Sequence, residues 1–294
     1  MSKIVELFGH RAVLNTGMNW PTLIADQQCP YIGRKCLKTR KSQSEIAIGT
    51  CSVTYGRKAI DIIICPIRLL ERRQVFIDCI HLLTLHEPGN ELHILGEITI
   101  PGGNVDYFLV SARGKRVIDF VAIEWQTLDT TGTVWPERQR FAASAGTPVS
   151  KLETENPRTF GMNWKMTAKT ILVQLHHKVQ TFEGLNKHLV LVVQDHLLTY
   201  MQRAFAFDHL EKARLGDPMH IHSYKLSLSG ADYRLRLDTR LSTDSAGIAA
   251  CLGLQASPKV ELSLLIEYLE SRISDLTLLR LDGPIPDIGT VPTE

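Results

Sequence analysis

Between Gly96 and Gly132 apolar and polar positions alternate in a way that predicts strand, tight turn, strand, turn, strand. The last of these strands, Val117 to Thr127, is largely apolar until Glu124 and Gln126 interrupt it. Side chains alternate along a strand, so Glu124 and Gln126 project to one face and Trp125 to the other. Asp106 opens the preceding strand, just after a Gly-Gly-Asn turn, where a hairpin sets it beside Glu124. Two carboxylates and an amide then converge at the end of a sheet, a donor set that suits a hard divalent cation. The same spacing is also that of polar residues facing solvent on a half-exposed strand.

Around this core the pattern is α/β. Ile4 to Phe8 is a short apolar segment, followed by a polar loop at Asn15-Thr16-Gly17. Ser52 to Tyr55 and Ile60 to Ile64 read as short strands around a Gly56-Arg57 turn. Leu69, Leu70, Phe76, Ile77, Ile80 and Leu83 follow helical spacing. That predicts a helix presenting Arg68, Arg72 and Arg73 outward, with His81 structural, ended by His86-Glu87-Pro88-Gly89. Residues 128–162 read as a long polar loop bordering the acidic strand ends, and loops of that length are commonly functional. A helix over Lys165 to Phe182, a buried strand over Leu189 to Val193 and a helix over Asp195 to Phe207 imply a right-handed crossover. Residues 220–242 alternate as a hairpin around Ser-Gly-Ala-Asp. Helices follow over Ala246 to Leu254 and Val260 to Leu279, with a proline-rich tail after Gly283.

Composition narrows the class. The chain has 294 residues, 44% hydrophobic and 22% charged, enough for a substantial core and ordinary for a globular protein. It has no apolar run long enough for a bilayer and no leader pattern, so the expectation is a soluble cytoplasmic protein with no membrane partner. The net charge of +2 hides an asymmetry. Asp26 to Arg73 holds ten Lys and Arg against four Asp and Glu, and Pro258 to Glu294 holds three against seven. A basic N-terminal third suits a polyanion such as nucleic acid, or is an ordinary solvated face.

Six cysteines without a leader point to thiols or metal ligands before disulfides. Cys29, Cys36, Cys51 and Cys65 fall in one turn-rich stretch, and four thiolates select zinc or iron. The other reading is four unrelated thiols. Cys79 and Cys251 stand in apolar surroundings and read as inert buried thiols.

The element order, with an acid and then acid-x-polar, resembles the PD-(D/E)XK nuclease superfamily. Cys29-Pro-Tyr, Cys36-Leu-Lys-Thr-Arg-Lys-Ser, Cys51-Ser-Val and Cys65-Pro-Ile-Arg, followed by Asp106 and Glu124-Trp-Gln126-Thr-Leu-Asp-Thr-Thr-Gly, look like the NotI-type restriction endonucleases. The resemblance implies an α/β, mixed-sheet PD-(D/E)XK core with a small N-terminal four-cysteine metal-binding region. Residues 1–75 would be the metal- and DNA-binding region, and residues 76–294 the endonuclease core with a C-terminal helical extension. It implies a homodimeric, magnesium-dependent type II enzyme of a restriction-modification system that cuts both strands of a specific double-stranded DNA site. On this resemblance Asp106 and Glu124 bind the catalytic Mg2+, Gln126 replaces the usual lysine, and Glu97 is a further acidic residue of the site. Cys29, Cys36, Cys51 and Cys65 would hold iron, for which zinc can substitute. An amide in place of the lysine can orient water but cannot carry a cation's charge. Arg34, Lys35, Lys38, Arg40 and Lys41 are candidate phosphate contacts, and Arg138, Arg140, Lys151 and Arg158 candidate base contacts. The alternatives are a non-catalytic DNA-binding protein with a degenerate nuclease sheet and a structural four-cysteine clip, and a metal-clipped protein-interaction domain.

Overall fold

The computed structural model describes residues 2–14, 17–254 and 262–271. Met1–Gly253 forms one unit. In it, β1 (Ile4–Leu7), β2 (His10–Arg11), β3 (Thr50–Tyr55) and β4 (Ile60–Ile63) make a four-stranded antiparallel sheet in the order β2-β1-β3-β4. The larger sheet has seven strands: β5 (Glu91–Ile100), β6 (Gly103–Arg113), β7 (Arg116–Gln126), β8 (His188–Gln194), β9 (Glu211–Lys212), β10 (Met219–Ser229) and β11 (Asp232–Thr243). Their order is β9-β11-β10-β8-β7-β6-β5. β7, β8 and β10 run parallel in the middle, and the hairpins β5–β6–β7 and β10–β11 flank them antiparallel.

The centre of this sheet is apolar on both faces. Leu189 to Val193 are all fully buried, as expected of a parallel strand covered on two sides. One face packs on the crossover helix between β7 and β8, residues Trp164–Gly184, whose Ala168, Ile171, Leu172, Leu175, Val179 and Phe182 form a helical stripe. Ile4, Leu7, Val53 and Ile62 of the four-stranded sheet, and Phe8 of the turn between β1 and β2, join the same core. The opposite face packs Val121, Ile123 and Trp125 against Leu69, Val75, Phe76, Leu82 and Leu83. Ala122 lies in the first core and its neighbours Val121 and Ile123 in the second, so the alternation along β7 is strict.

Two segments depart from their sequence patterns. The helix expected from Pro66 to Leu83 is broken into a 3₁₀ segment Pro66–Arg73, a single turn Gln74–Ile77 and a 3₁₀ turn Ile80–Leu82. The break lies where Arg72 and Arg73 adopt φ of 49° and 56°. Glu71 is the cause: its carboxylate accepts the Leu235 N–H of β11 at 2.7 Å and pairs with Arg68 and Arg234. Arg68, expected to face outward, is instead fully buried between Glu6 and Glu71. Residues 128–162 are not one long loop. They hold the ten-residue helix Trp135–Ser144, with Pro136 in its first turn, a turn Lys151–Thr154, and a ribbon pairing Thr130–Gly132 with Phe160–Met162.

The helix after β8 spans Asp195–Ala204, and a helix Ser245–Cys251 follows β11, capped by Asp244 accepting the Gly247 N–H. Cys79 and Cys251 are buried, and burial pushes both thiols up, Cys251 to about 12. In the second unit, Leu254–Glu294, the described helix is Leu262–Glu270. Ser271 follows it as a turn; residues 260–261 and 272–279 of the expected helix, the tail after Gly283, and Asn15 and Thr16 of the N-terminal loop lie outside the described residues.

Candidate active site

The β5–β6 turn, Pro101-Gly102-Gly103, rests on the crossover helix. Gly102 has φ 101°, and a Cβ there would sit 2.8 Å from the His177 carbonyl oxygen, so a side chain is excluded on two counts. Thr181 Oγ1 donates to the Pro101 carbonyl at 3.1 Å, and the Lys178 ammonium donates to the Asn104 carbonyl just beyond the turn.

From there β6 carries Asp106. Pairing between β6 and β7 runs from Arg113 and Arg116 to Tyr107 and Ile123. One step further the same register sets Asp106 across from Glu124. The strands stop pairing there, and Asp106 Oδ2 takes the Trp125 N–H at 2.8 Å in place of a backbone carbonyl. On the other flank Val105 pairs with Ile98 and Tyr107 with Gly96, which sets Asp106 across from Glu97. Glu97 leaves the extended conformation with φ 53°. Glu97, Asp106 and Glu124 therefore occupy one row across three strands. A pocket of about 240 Å³ opens onto Glu97 and Asp106, walled by Pro66, Ile67, Tyr107 and Trp125.

Glu124 is not in that pocket wall. It faces the crossover helix, 4% exposed, with Oε1 2.6 Å from Lys178 Nζ. Burial drives its carboxyl up to about 7, against the pull of Lys178 and with the push of Asp106. Asp106 is also raised, first by burial and in part by Glu97, while the Trp125 N–H and Lys178 oppose the shift. Gln126 is half-buried, and its Nε2 donates to the Thr127 carbonyl at 2.6 Å. Its amide oxygen remains as the acceptor.

Lys178, which the strand pattern does not disclose, is brought into the site by its pairing with Glu124. A signal for it does exist. It falls among Leu175, Val179 and Phe182, on the stripe that the helix buries, and a lysine buried there needs an anionic partner.

Cys29, Cys36, Cys51 and Cys65 border one small pocket together with Phe8, Leu37 and Ile67. Burial pushes the thiols of Cys29, Cys51 and Cys65 up, and Cys36 adds to the shift at Cys29 and Cys65. The four are neighbours, yet the expected closed four-sulfur centre is not formed: among the described residues no group of three or more His, Cys, Asp or Glu is arranged to hold a metal ion. The donor set itself, four cysteines on one apolar-walled pocket, suits a thiophilic cation.

Several expected DNA contacts are occupied within the fold. Arg138 is 4% exposed and stacks over Trp135. Arg140 pairs with Glu137 and bonds the Thr154 and Asn156 carbonyls, and Arg40 pairs with Glu153. Lys38 bonds the Ile64 carbonyl at 2.9 Å. Lys151 and Arg158 are exposed.

No helix among the described residues is long and apolar enough to cross a membrane. No curated protein matches the chain. The family model described as "Restriction endonuclease NotI" matches residues 25–235, a span that starts just before Cys29, contains Glu97, Asp106, Glu124, Gln126 and Lys178, and ends inside β11. That is most of its length, and the chain belongs to the NotI restriction endonuclease family, enzymes that cut DNA at specific sequences.

Proposed function

We propose that this chain is a magnesium-dependent type II endonuclease that acts as a homodimer and hydrolyses one phosphodiester in each strand of a two-fold symmetric DNA site. The observation that carries this reading is the row of Asp106 and Glu124 at a strand end, with both carboxyls raised by burial and by charged neighbours. Desolvated, adjacent carboxylates are costly alone and favourable around a cation. Asp106 and Glu124 would hold the magnesium ion, which lowers the pKa of a bound water and offsets charge at the phosphorus.

The chain's own groups divide the remaining work. The Trp125 N–H fixes one oxygen of Asp106 and leaves the other for the ion. Lys178 fixes Oε1 of Glu124 in the same way and opposes the rise that burial imposes on that carboxyl. The Gln126 amide, anchored through its N–H to Thr127, offers its oxygen to orient the attacking water. Glu97 borders the pocket onto which Asp106 opens and would order solvent around the ion.

Cys29, Cys36, Cys51 and Cys65 would hold a structural iron or zinc. All four sites filled by thiolates leave no open position, so this metal cross-links the N-terminal stretch and takes no part in cleavage. Two-fold symmetry follows from one site per chain and two antiparallel strands to cut.

The experiment is digestion of genomic and plasmid DNA with magnesium, wild type beside Glu124→Ala. Discrete fragments from the wild type alone are expected. Equal cutting by pure Glu124→Ala protein removes the site assignment, and binding without cutting by the wild type returns the chain to a DNA-binding protein.

A further inference from the structure

Two adjoining pockets of about 360 and 330 Å³ share Glu71, Arg72 and Arg234, so they form one continuous groove. Arg72 and Arg73, at the end of the 3₁₀ segment, line one side, and Arg234 and Arg236 of β11 line the other.

The floor of the groove is electrically settled. Glu71 is held by Arg68 at 2.8 Å and Arg234 at 2.9 Å, and Arg68 also holds Glu6. These two acids and two cations cancel. What remains on the walls is Arg72, Arg73 and Arg236 against Asp232 alone, a surplus of two positive charges. Arg72, Arg73 and Arg236 are exposed, and their side chains have no hydrogen bond or ion pair among the described residues. This sets them apart from Arg138, which is buried over Trp135, and from Arg140 and Arg40, which pair with Glu137 and Glu153.

The groove is also placed to meet the substrate. The segment Pro66–Arg73 borders the acidic pocket with Pro66 and Ile67 and the groove with Arg72 and Arg73. Only four residues separate Ile67 from Arg72, so one short segment joins the acidic pocket to the groove. Guanidinium groups match phosphate oxygens as paired donors.

We propose that this groove carries the phosphate backbone of bound DNA beside the scissile position, with Arg72, Arg73 and Arg236 as its phosphate contacts. The proposal rests on the endonuclease reading above. It assigns the groove a sequence-independent role: these arginines hold the duplex in register, and base edges are read elsewhere.

The test is binding of a fluorescein-labelled duplex of mixed sequence in magnesium-free buffer across a salt series, read by anisotropy. Arg72→Asn/Arg73→Asn removes both charges while keeping residues that tolerate the left-handed backbone. Two lost phosphate contacts reduce the salt slope by about 1.8, so the double variant loses roughly tenfold less affinity than wild type between about 50 and 200 mM salt. Arg236→Gln, on the opposite wall, reduces the slope by about 0.9. Arg72→Lys/Arg73→Lys keeps the wild-type slope. A wild-type slope in both neutral variants overturns the groove, as does an equal loss in the lysine variant, which would trace the effect to backbone rather than charge. A wild type that binds no duplex at any salt fails the endonuclease reading itself, an outcome separate from an unchanged slope.

Discussion

Lys178 Nζ lies 2.6 Å from Glu124 Oε1 and also donates to the Asn104 carbonyl, so one buried ammonium ties the acidic end of β7 to the turn that delivers Asp106. The cation comes from a helix, while the strand position two residues beyond Glu124 is filled by Gln126. Replacing Lys178 by Met leaves the Glu124 carboxylate buried without its partner, a change that costs about 3–5 kcal/mol. The expected result is a lower denaturation midpoint and loss of cleavage at neutral pH. Cleavage returns as pH rises, because Glu124 then needs a higher pH to ionise. Lys178→Arg, which restores the charge, brings part of the activity back at neutral pH. A Lys178→Met enzyme with an unshifted pH–rate profile refutes the positioning role.

Glu124 gives a second prediction through its carboxyl at about 7. Folding raises this group above its ordinary 4.5, so its contribution to stability is full below about 4.5 and is lost as pH rises through about 7. Glu124→Gln stays neutral, so its thermal midpoint gains on wild type between about pH 5 and 8. Under the proposed role of Glu124 as a magnesium ligand, which needs the ionised form, metal affinity of the wild type should climb about tenfold per pH unit below 7 and level above it. Titration calorimetry across this range checks both the slope and its absence in Glu124→Gln.

Arg68 is fully buried between Glu6 and Glu71 and also donates to the Tyr233 carbonyl at 3.2 Å. Arg68→Met leaves the buried Glu6 carboxylate without its cation, takes one of two from Glu71, and costs about 3–5 kcal/mol in urea denaturation. The triple variant Arg68→Met/Glu6→Gln/Glu71→Gln recovers most of that loss, since no buried charge is left unpaired. A triple variant no more stable than the single one shows that packing, not charge, sets the cost.

β10 carries His220 and His222 on its buried side, beside His81, His188, Cys79 and Arg240. Burial lowers His220 to about 4 and His222 to about 3, with Arg240 and the neighbouring imidazoles adding to the shift. The unfolded chain takes up these protons near 6.5, so the stability the neutral imidazoles lend is full above 6.5 and is lost as pH falls towards 4 and 3. His222→Gln should flatten the decline in urea midpoint over this window. An unchanged decline assigns the acid sensitivity to other groups.

The four N-terminal cysteines give a compositional test. Elemental analysis of the wild type should find one iron or zinc per chain, lost in Cys36→Ser and in Cys65→Ser together with folded yield. Iron adds thiolate absorption in the visible, and zinc leaves the protein colourless. Full metal content in either variant removes the four-thiolate assignment.

The strands around the site were legible because their constraints are local. Asp106 after Gly102-Gly103 and the pair Glu124 and Gln126 on an apolar strand announce themselves through alternation and turn chemistry. Arg68 and Lys178 were not, because a charge placed inside contradicts the rule that patterns exploit, and its partners lie far along the chain: Glu6 is 62 residues from Arg68, and Glu124 is 54 from Lys178. The helix Trp135–Ser144 escaped for a related reason. It buries Glu137, Arg138 and Gln139 as well as Phe141 and Ala142, so it shows no polar face to set a period. The break at Arg72 and Arg73 is imposed by the Leu235 N–H on Glu71, a contact no window of neighbouring residues contains.

Glu97 has an effect beyond the pocket it borders. β5 is the outer strand of the large sheet, ten residues long and mostly exposed, with Leu92, Ile94 and Leu95 uncovered. A strand of that kind is a template on which a second chain can zip up and aggregate. At Glu97 the backbone leaves the extended conformation, with φ 53°, and this position also carries a carboxylate, so the edge is interrupted after Gly96. The irregularity that shapes the acidic pocket also guards the sheet against self-association.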